Sequence, residues 1–209
     1  MRNACFVARV QPTDDVTVNT QLFTGRLVRL AAPNPDTDVE TVARWSRDSE
    51  FNRLFGAGPT RPWSVNEAKD ETAKRAEKAD VFVFHIHTLA DDRLIGVIDL
   101  DPGWSHGDGW IGVGLGEREY WGKGYGTDAM RGMLRYAFTE LNLHRVSLGV
   151  FEYNPRAIRS YQKAGFKIEV RARQEMKRDG KRWDVLYMGI LREEWSVIGG
   201  HVTTKEMRL

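Results

Sequence analysis

Three glycines alternate with larger residues in the segment YWGKGYGTDAM, which begins at Tyr120 and leads directly into an amphipathic stretch. Backbone N–H groups at the start of a helix point outward at the positive end of the helix dipole, where they can bind a phosphate or pyrophosphate. Glycine at Gly122, Gly124 and Gly126 removes side chains that would keep an anion away from these amides. The spacing matches neither the P-loop nor the dinucleotide-binding fingerprint. The segment therefore predicts a phosphate-binding helix start of another kind, with a flexible turn as the alternative.

A second segment, NPRAIRSYQKAGF, begins at Asn154 and has the signals of a short helix. Asn154 is a suitable N-cap, and Pro155 suits the first turn because its missing N–H has no helical partner there. Gly165 ends the helix. Read alone, the segment favours a structural interpretation, in which Asn154 only caps the helix and Tyr161 only fills the core.

The elements that must position these segments alternate between strands and helices. Periodicity predicts strands at 22–30, 81–89, 94–101, 110–116, 144–151, 166–172 and 183–191. It predicts helices at 36–47, 49–55, 64–78, 127–141 and 154–165, the third of them with a capping box formed by Ser64 and Glu67. This order indicates a mixed α/β layer with helices on both faces.

Composition describes an ordinary globular protein. The 209 residues are 41% hydrophobic and 29% charged, with a formal charge of +2 and no basic block, which argues against a dedicated nucleic-acid binder. The single cysteine, Cys5, cannot form an internal disulfide, and no run reaches transmembrane length or resembles a signal peptide. We expect a soluble cytoplasmic protein without a membrane partner, with one domain at 21–195, an extension at 1–20 and a tail at 196–209.

Taken together, the two segments resemble the GNAT superfamily of acyl-CoA N-acyltransferases, and within it the branch of ribosomal-protein N-terminal acetyltransferases and spermidine acetyltransferases. The resemblance is strongest over 110–195. It is carried by WGKGYGT before a helix, by the closing segment WDVLYMGILREEW, and by the pattern N-x-x-A-x-x-x-Y-x-x-x-G-F at Asn154, Ala157, Tyr161, Gly165 and Phe166. It implies the GNAT fold: a mixed, mostly antiparallel sheet splayed between the fourth and fifth strands, with helices on both faces.

The resemblance also implies a site for acetyl-CoA as cosubstrate. The amides from Gly122 to Thr127 would hold the pyrophosphate, and the fourth strand would bond the pantetheine arm through its backbone. Asn154 would contact the pantetheine, and Tyr161 would protonate the departing thiolate. The implied cofactor-binding residues are Val113, Leu115, Trp121, Gly122, Lys123, Gly124, Tyr125, Gly126, Thr127 and Asn154. Trp121 replaces the arginine or glutamine that is commonest in the family. No metal site is expected, because a zinc site at His85 and His87 would need further ligands that the sequence does not identify.

The general base is open at this stage. Acetyl transfer by direct attack needs a neutral amine, and many relatives carry a glutamate on the fourth strand, which has no carboxylate here. The remaining candidates lie at strand ends: Asp99, Asp101, Glu117 and Glu152. Our hypothesis is that ordered water carries the proton outward with help from more than one of them.

The implied activity is N-acetylation of a primary amine, either on a small molecule or at a protein amino terminus. The alternatives are transfer from another acyl-CoA or to another acceptor, and a CoA-binding sensor without turnover. The sequence does not identify the acceptor, and it leaves the oligomeric state open, a homodimer included.

Overall fold

A seven-stranded mixed sheet forms the centre of the molecule. The computed structural model describes residues 21–76 and 80–198. The strands are β1 (Val28–Ala31), β2 (Phe82–Thr88), β3 (Leu94–Gly103), β4 (Asp108–Leu115), β5 (Arg145–Phe151), β6 (Lys167–Arg178) and β7 (Lys181–Leu191). The helices are α1 (Val39–Ser46), α2 (Ser49–Phe55), α3 (Val65–Ala76), α4 (Tyr125–Thr139), α5 (Pro155–Ala164) and α6 (Arg192–Val197), with a 3₁₀ turn at Arg118–Tyr120. The strand order is β1-β2-β3-β4-β5-β7-β6, and β4–β5 is the parallel pair.

Helices cover both faces of the sheet, as expected. On β3, Ile98 and Leu100 are fully buried in one hydrophobic core with Met130 and Met133 of α4. Val97 points to the other face, where it lines a cavity together with residues of α1, α2 and α3. The period-two alternation of β3 therefore serves two layers of helices at once.

The sheet is splayed between β4 and β5. Pairing between them is confined to one end, at Asp108↔Arg145, Gly109↔Val146 and Trp110↔Ser147. Beyond this point each strand is paired only with its other neighbour: β4 stays paired with β3 as far as Leu115, and β5 with β7 as far as Phe151. A gap therefore opens between β4 and β5, which confirms the predicted fold class.

The predicted first strand is too long. Residues before Val28 form a turn instead, in which Gly25 N donates to Val28 O at 2.8 Å. The carboxylate of Asp128 accepts hydrogen bonds from the amides of Arg26, Leu27 and Val28. Because these N–H groups are bonded to Asp128, they are not available to pair with a neighbouring strand. The alternation of apolar and charged residues therefore predicts a start of the first strand that is too early.

Other differences lie at element ends. The strands β6 and β7 form a longer hairpin than predicted, and α6 was not predicted. The capping box of α3 is confirmed, since Ser64 N donates to Glu67 Oε2 and Glu67 N donates to Ser64 Oγ. The predicted end of that helix near 78, the extension 1–20 and most of the tail lie outside the described residues. Within the described ranges, no helix is both long and apolar enough to cross a membrane.

Candidate active site

A cleft of about 700 Å³ lies where the β4–β5 gap meets the starts of α4 and α5. The end of β4 contributes Val113, Gly114 and Leu115, while α2 contributes the rings of Phe51 and Phe55. The cleft thus has a strand backbone along one side and helix starts on another. Both present unpaired backbone groups to a ligand.

The glycines at the start of α4 fall into two kinds. Gly122 and Gly124 have φ angles of +73° and +95°, a conformation that side chains disfavour, and Gly124 is the N-cap of α4. Gly126 has ordinary helical geometry, and a Cβ there would lie 3.7 Å from Leu115 Cδ1 and 3.9 Å from Ser160 Oγ, which are ordinary contacts. The fold itself therefore does not require glycine at 126, although this residue lines the cleft.

Most of the predicted site residues line this one cleft. They are Val113, Leu115, Trp121, Gly122, Gly124, Gly126, Thr127, Asn154 and Tyr161. Lys123 and Tyr125 do not line it: Lys123 is exposed, and the ring of Tyr125 packs edge-on against Tyr120 with centroids 4.9 Å apart. Whether any of these residues binds a cofactor stays a prediction.

Trp121 holds an arginine over the cleft. Its Nε1 donates to the carbonyl oxygen of Leu115 at 2.7 Å, which fixes the indole. The guanidinium of Arg156 lies 3.7 Å from the ring centroid, a close cation–π stack. The large residue at this position therefore supplies a positive charge indirectly, through Arg156.

Five cationic side chains line the cleft, and sequence reasoning missed them. They are Arg26, Arg131, Arg156, Arg159 and Lys163. Three of these lie on α5 at positions i, i+3 and i+7, so their common face was a signal available in the sequence. The carboxylate among the lining residues, Asp128, is already bonded to three backbone amides. The cleft is therefore suited to a ligand with several phosphates.

Asn154 and Tyr161 have structural roles and also line the cleft. Asn154 Oδ1 accepts a hydrogen bond from Ala157 N at 3.1 Å, which confirms the predicted cap. The ring of Tyr161 belongs to the hydrophobic core. Burial raises the pKa of Tyr161 to about 12, and the nearby guanidinium of Arg156 acts in the opposite sense. Tyr161 thus holds its proton strongly at neutral pH.

Two of the four candidate bases are occupied. The buried carboxylate of Glu117 accepts hydrogen bonds from Arg44, Trp45 and Arg93 at 2.6, 2.8 and 3.0 Å. Although burial alone would raise the pKa of Glu117, these partners hold it below its ordinary value.

Glu152 accepts a hydrogen bond from Asp184 N at 2.8 Å and pairs with Arg171 at 3.3 Å. Both carboxylates therefore act as structural anchors, and Asp99 and Asp101 of β3 remain as candidates.

A second cavity of about 200 Å³ lies under α1, α2 and α3 on the opposite face of the sheet from the core. It shares Phe51 and Phe55 with the large cleft, and these two rings are stacked with centroids 5.5 Å apart. His85 lines it, with Nδ1 2.6 Å from Asp38 Oδ2, and burial lowers the pKa of this histidine. Among the described residues, no group of histidine, cysteine or acidic side chains could hold a metal ion.

Comparisons with known proteins agree with this geometry. Residues 28–167 match the family model described as an acetyltransferase (GNAT) domain. The chain is 38% identical to the probable N-acetyltransferase YjcK of Bacillus subtilis over 123 residues, which cover 58% of this chain and 67% of the relative. It is 30% identical to the spermidine N(1)-acetyltransferase of Vibrio cholerae over 129 residues, covering 57% and 74%. The crystal structure of spermidine N-acetyltransferase from Vibrio cholerae in complex with CoA and spermine has a TM-score of 0.72 at 24% identity, covering 80% of this chain and 97% of that one.

Proposed function

The chain belongs to the GNAT acetyltransferase family and is an acetyl-CoA-dependent N-acetyltransferase, and on this premise we propose that its large cleft holds acetyl-CoA for direct attack by a primary amine. The main support for the proposal is that three features suited to binding CoA lie together in one place. The uncapped start of α4, the gap between β4 and β5, and five cationic side chains meet in one cleft of about 700 Å³.

The donor binds along two surfaces of this cleft. The first-turn amides of α4 receive the pyrophosphate, and the guanidinium groups of Arg26, Arg131 and Arg156 neutralise its charge together with the further phosphate of CoA. The pantetheine arm follows the β4 edge that β5 leaves unpaired. Because Trp121 already bonds the Leu115 carbonyl, Val113 supplies the backbone groups for this arm.

The chemistry then needs no enzyme nucleophile. The amine nitrogen attacks the thioester carbon, and a backbone N–H of β4 stabilises the oxyanion. The carbon–sulfur bond breaks, and the hydroxyl of Tyr161, which lines the cleft, protonates the departing sulfur. Tyr161 is thus the general acid.

We propose a small-molecule primary amine as the acceptor. A relative at 30% identity is a spermidine N(1)-acetyltransferase, which makes polyamines the first compounds to test. A protein amino terminus is the competing acceptor class, and it differs in requiring an open groove for a peptide chain.

A thiol-release assay tests the proposal. Purified protein is given acetyl-CoA and a panel of polyamines, amino acids, aminoglycosides and short peptides with free amino termini, and acetylated products are identified by mass spectrometry. We expect at least one small amine to raise thiol release about tenfold or more above acetyl-CoA hydrolysis. If calorimetry shows that acetyl-CoA binds while no acceptor raises thiol release, the protein is a sensor rather than an enzyme of this kind.

A further inference from the structure

The carboxylate of Asp99 has an incomplete set of partners. Its Oδ1 is buried and has no hydrogen-bond partner among the described residues, and it is the only side-chain polar atom of these residues in that position. Its Oδ2 lies 3.6 Å from an Arg75 nitrogen, too far for a good hydrogen bond. Unpartnered buried polar atoms cost free energy, so one that persists in a fold needs a reason.

Asp99 lies on the sheet face that borders the splay. It pairs across the strands with Gly112 of β4, where an added Cβ would come within 2.9 Å of Asp99 Oδ1. Gly112 is two residues beyond Trp110, the last β4 residue that pairs with β5. The carboxylate therefore covers β4 just where the gap begins.

On this face of the sheet, the cleft begins two residues further along β4 from the position next to Asp99. Gly114, on the same face as Gly112, lines the cleft beneath the rings of Phe51 and Phe55. Alternate residues of a strand are about 7 Å apart, so an amine held at the gap can reach both the cleft and the Asp99 carboxylate. The side chain of Asp99 is 17% exposed, although its Oδ1 is buried.

The surroundings of Asp99 favour proton uptake. Burial raises the pKa of Asp99, Arg75 from α3 lowers it, and Asp101 on the same strand raises it again. The cross-strand neighbours Val83 of β2 and Gly112 of β4 carry no charge. The net direction is upward, so this carboxylate is a stronger base than an exposed aspartate.

We propose that Asp99 is the general base that deprotonates the acceptor amine. The inference rests on the proposed function and replaces the shared water relay as the account of this step. Asp99 takes one proton from the ammonium and releases it to solvent, and the freed nitrogen lone pair forms the bond to carbon. The sulfur leaves with the proton of Tyr161, and the second nitrogen proton returns to Tyr161 through water.

The test compares Asp99→Asn with Asp70→Asn, which makes the same substitution at an exposed carboxylate of α3 that does not line the cleft. The value of kcat/KM is measured from pH 6 to 10 at saturating acetyl-CoA, with the best small amine found for the wild-type protein. We expect Asp99→Asn to lose roughly 10²- to 10⁴-fold at pH 7 and to regain part of this at high pH, where free amine becomes available. We expect Asp70→Asn to stay within about threefold, and both variants to bind acetyl-CoA with wild-type affinity.

The proposal is overturned if Asp99→Asn retains activity within about tenfold and keeps the wild-type pH profile. This result differs from failure of the proposed function, in which the wild-type protein itself acetylates no amine. Circular dichroism and urea denaturation monitor folding, and Asp99→Ser is a second variant to be assayed if the asparagine variant does not fold. Wild-type activity in folded Asp99→Asn or folded Asp99→Ser contradicts the assignment of Asp99 as the general base.

Discussion

Tyr161 is the residue whose environment most directly bears on chemistry, because its ring is in the core while the residue also lines the cleft. Burial raises its pKa to about 12. Only the protonated hydroxyl can act as an acid. Tyr161 is fully protonated at neutral pH and loses its proton only as the pH rises through about 12. Arg156, stacked on Trp121, opposes this shift, and in the mechanism that we propose it eases the release of the proton to sulfur.

We predict that Tyr161→Phe lowers kcat by roughly 10²-fold while acetyl-CoA affinity changes little, because the ring that packs in the core is kept. Steady-state kinetics and calorimetry measure the two effects. Tyr136→Phe is the matched control, since Tyr136 packs among Phe23, Phe82 and Phe84, apart from the cleft. Near wild-type turnover in Tyr161→Phe would leave Tyr161 as a core residue only.

Local features of single residues could be predicted from the sequence, whereas contacts between distant residues could not. The Asn154 cap and the Ser64–Glu67 box are formed within three residues, so their spacing reveals them. The Glu117 carboxylate is bound by Arg44, 73 residues away, and no local pattern indicates such a partner. Four candidate bases therefore looked equivalent until their partners were known.

At the scale of elements, the start of α4 is tied to the start of β1 by one side chain. Asp128 in the first turn of α4 is buried, and its Oδ2 accepts from Leu27 N at 2.8 Å and from Val28 N at 3.1 Å. Its Oδ1 accepts from Arg26 N at 3.1 Å. This carboxylate thereby positions the turn that brings Arg26 to the cleft.

We predict that Asp128→Asn destabilises the protein by about 1–3 kcal/mol, because the amide has a single acceptor oxygen and at least one of the three N–H groups loses its partner. The free energy of unfolding is measured by urea denaturation. Asp70→Asn, at an exposed position of α3, is the control and should change stability by less than about 0.5 kcal/mol. Equal stability of the two variants would show that Asp128 does not anchor the turn.

A second contact between elements fixes the rings that separate the cleft from the smaller cavity. Arg178 of β6 donates to the carbonyl oxygens of Arg53 and Gly56 at the end of α2, the second at 3.1 Å. Tyr153 Oη donates to the same Arg53 carbonyl at 3.0 Å. The β6–β7 hairpin thus caps α2 and holds Phe55 in place. Sequence patterns underestimated this hairpin because much of β6 is exposed and polar.

At the scale of the whole molecule, β4 packs closely against its neighbour β3 and against α2. Glycine is unfavourable inside a strand, yet the glycines of β4 allow side chains of other elements to pack directly against its backbone. A Cβ on Gly114 would lie 2.7 Å from the ring of Phe55, and one on Gly112 would lie 2.9 Å from Asp99 Oδ1. The order of elements was predictable from periodicity. The packing that these glycines permit was not, because it joins residues far apart in the chain.

The central claim is that acetyl-CoA binds at the start of α4, and Gly126 tests it most directly. A side chain at 126 makes only ordinary contacts with the protein, unlike one at Gly122 or Gly124, whose φ angles are positive. Gly126→Val should therefore fold while blocking the approach of the pyrophosphate to the amides. Gly58→Val, in a loop where an added Cβ meets nothing within 4 Å, is the control.

Isothermal titration calorimetry with acetyl-CoA decides the question, with circular dichroism confirming that both variants are folded. The account predicts that Gly126→Val weakens acetyl-CoA binding at least about tenfold, a change of roughly 1.4 kcal/mol in binding free energy, while Gly58→Val binds like the wild-type protein. Wild-type affinity in folded Gly126→Val would contradict the claim that the pyrophosphate is held by the amides at the start of α4.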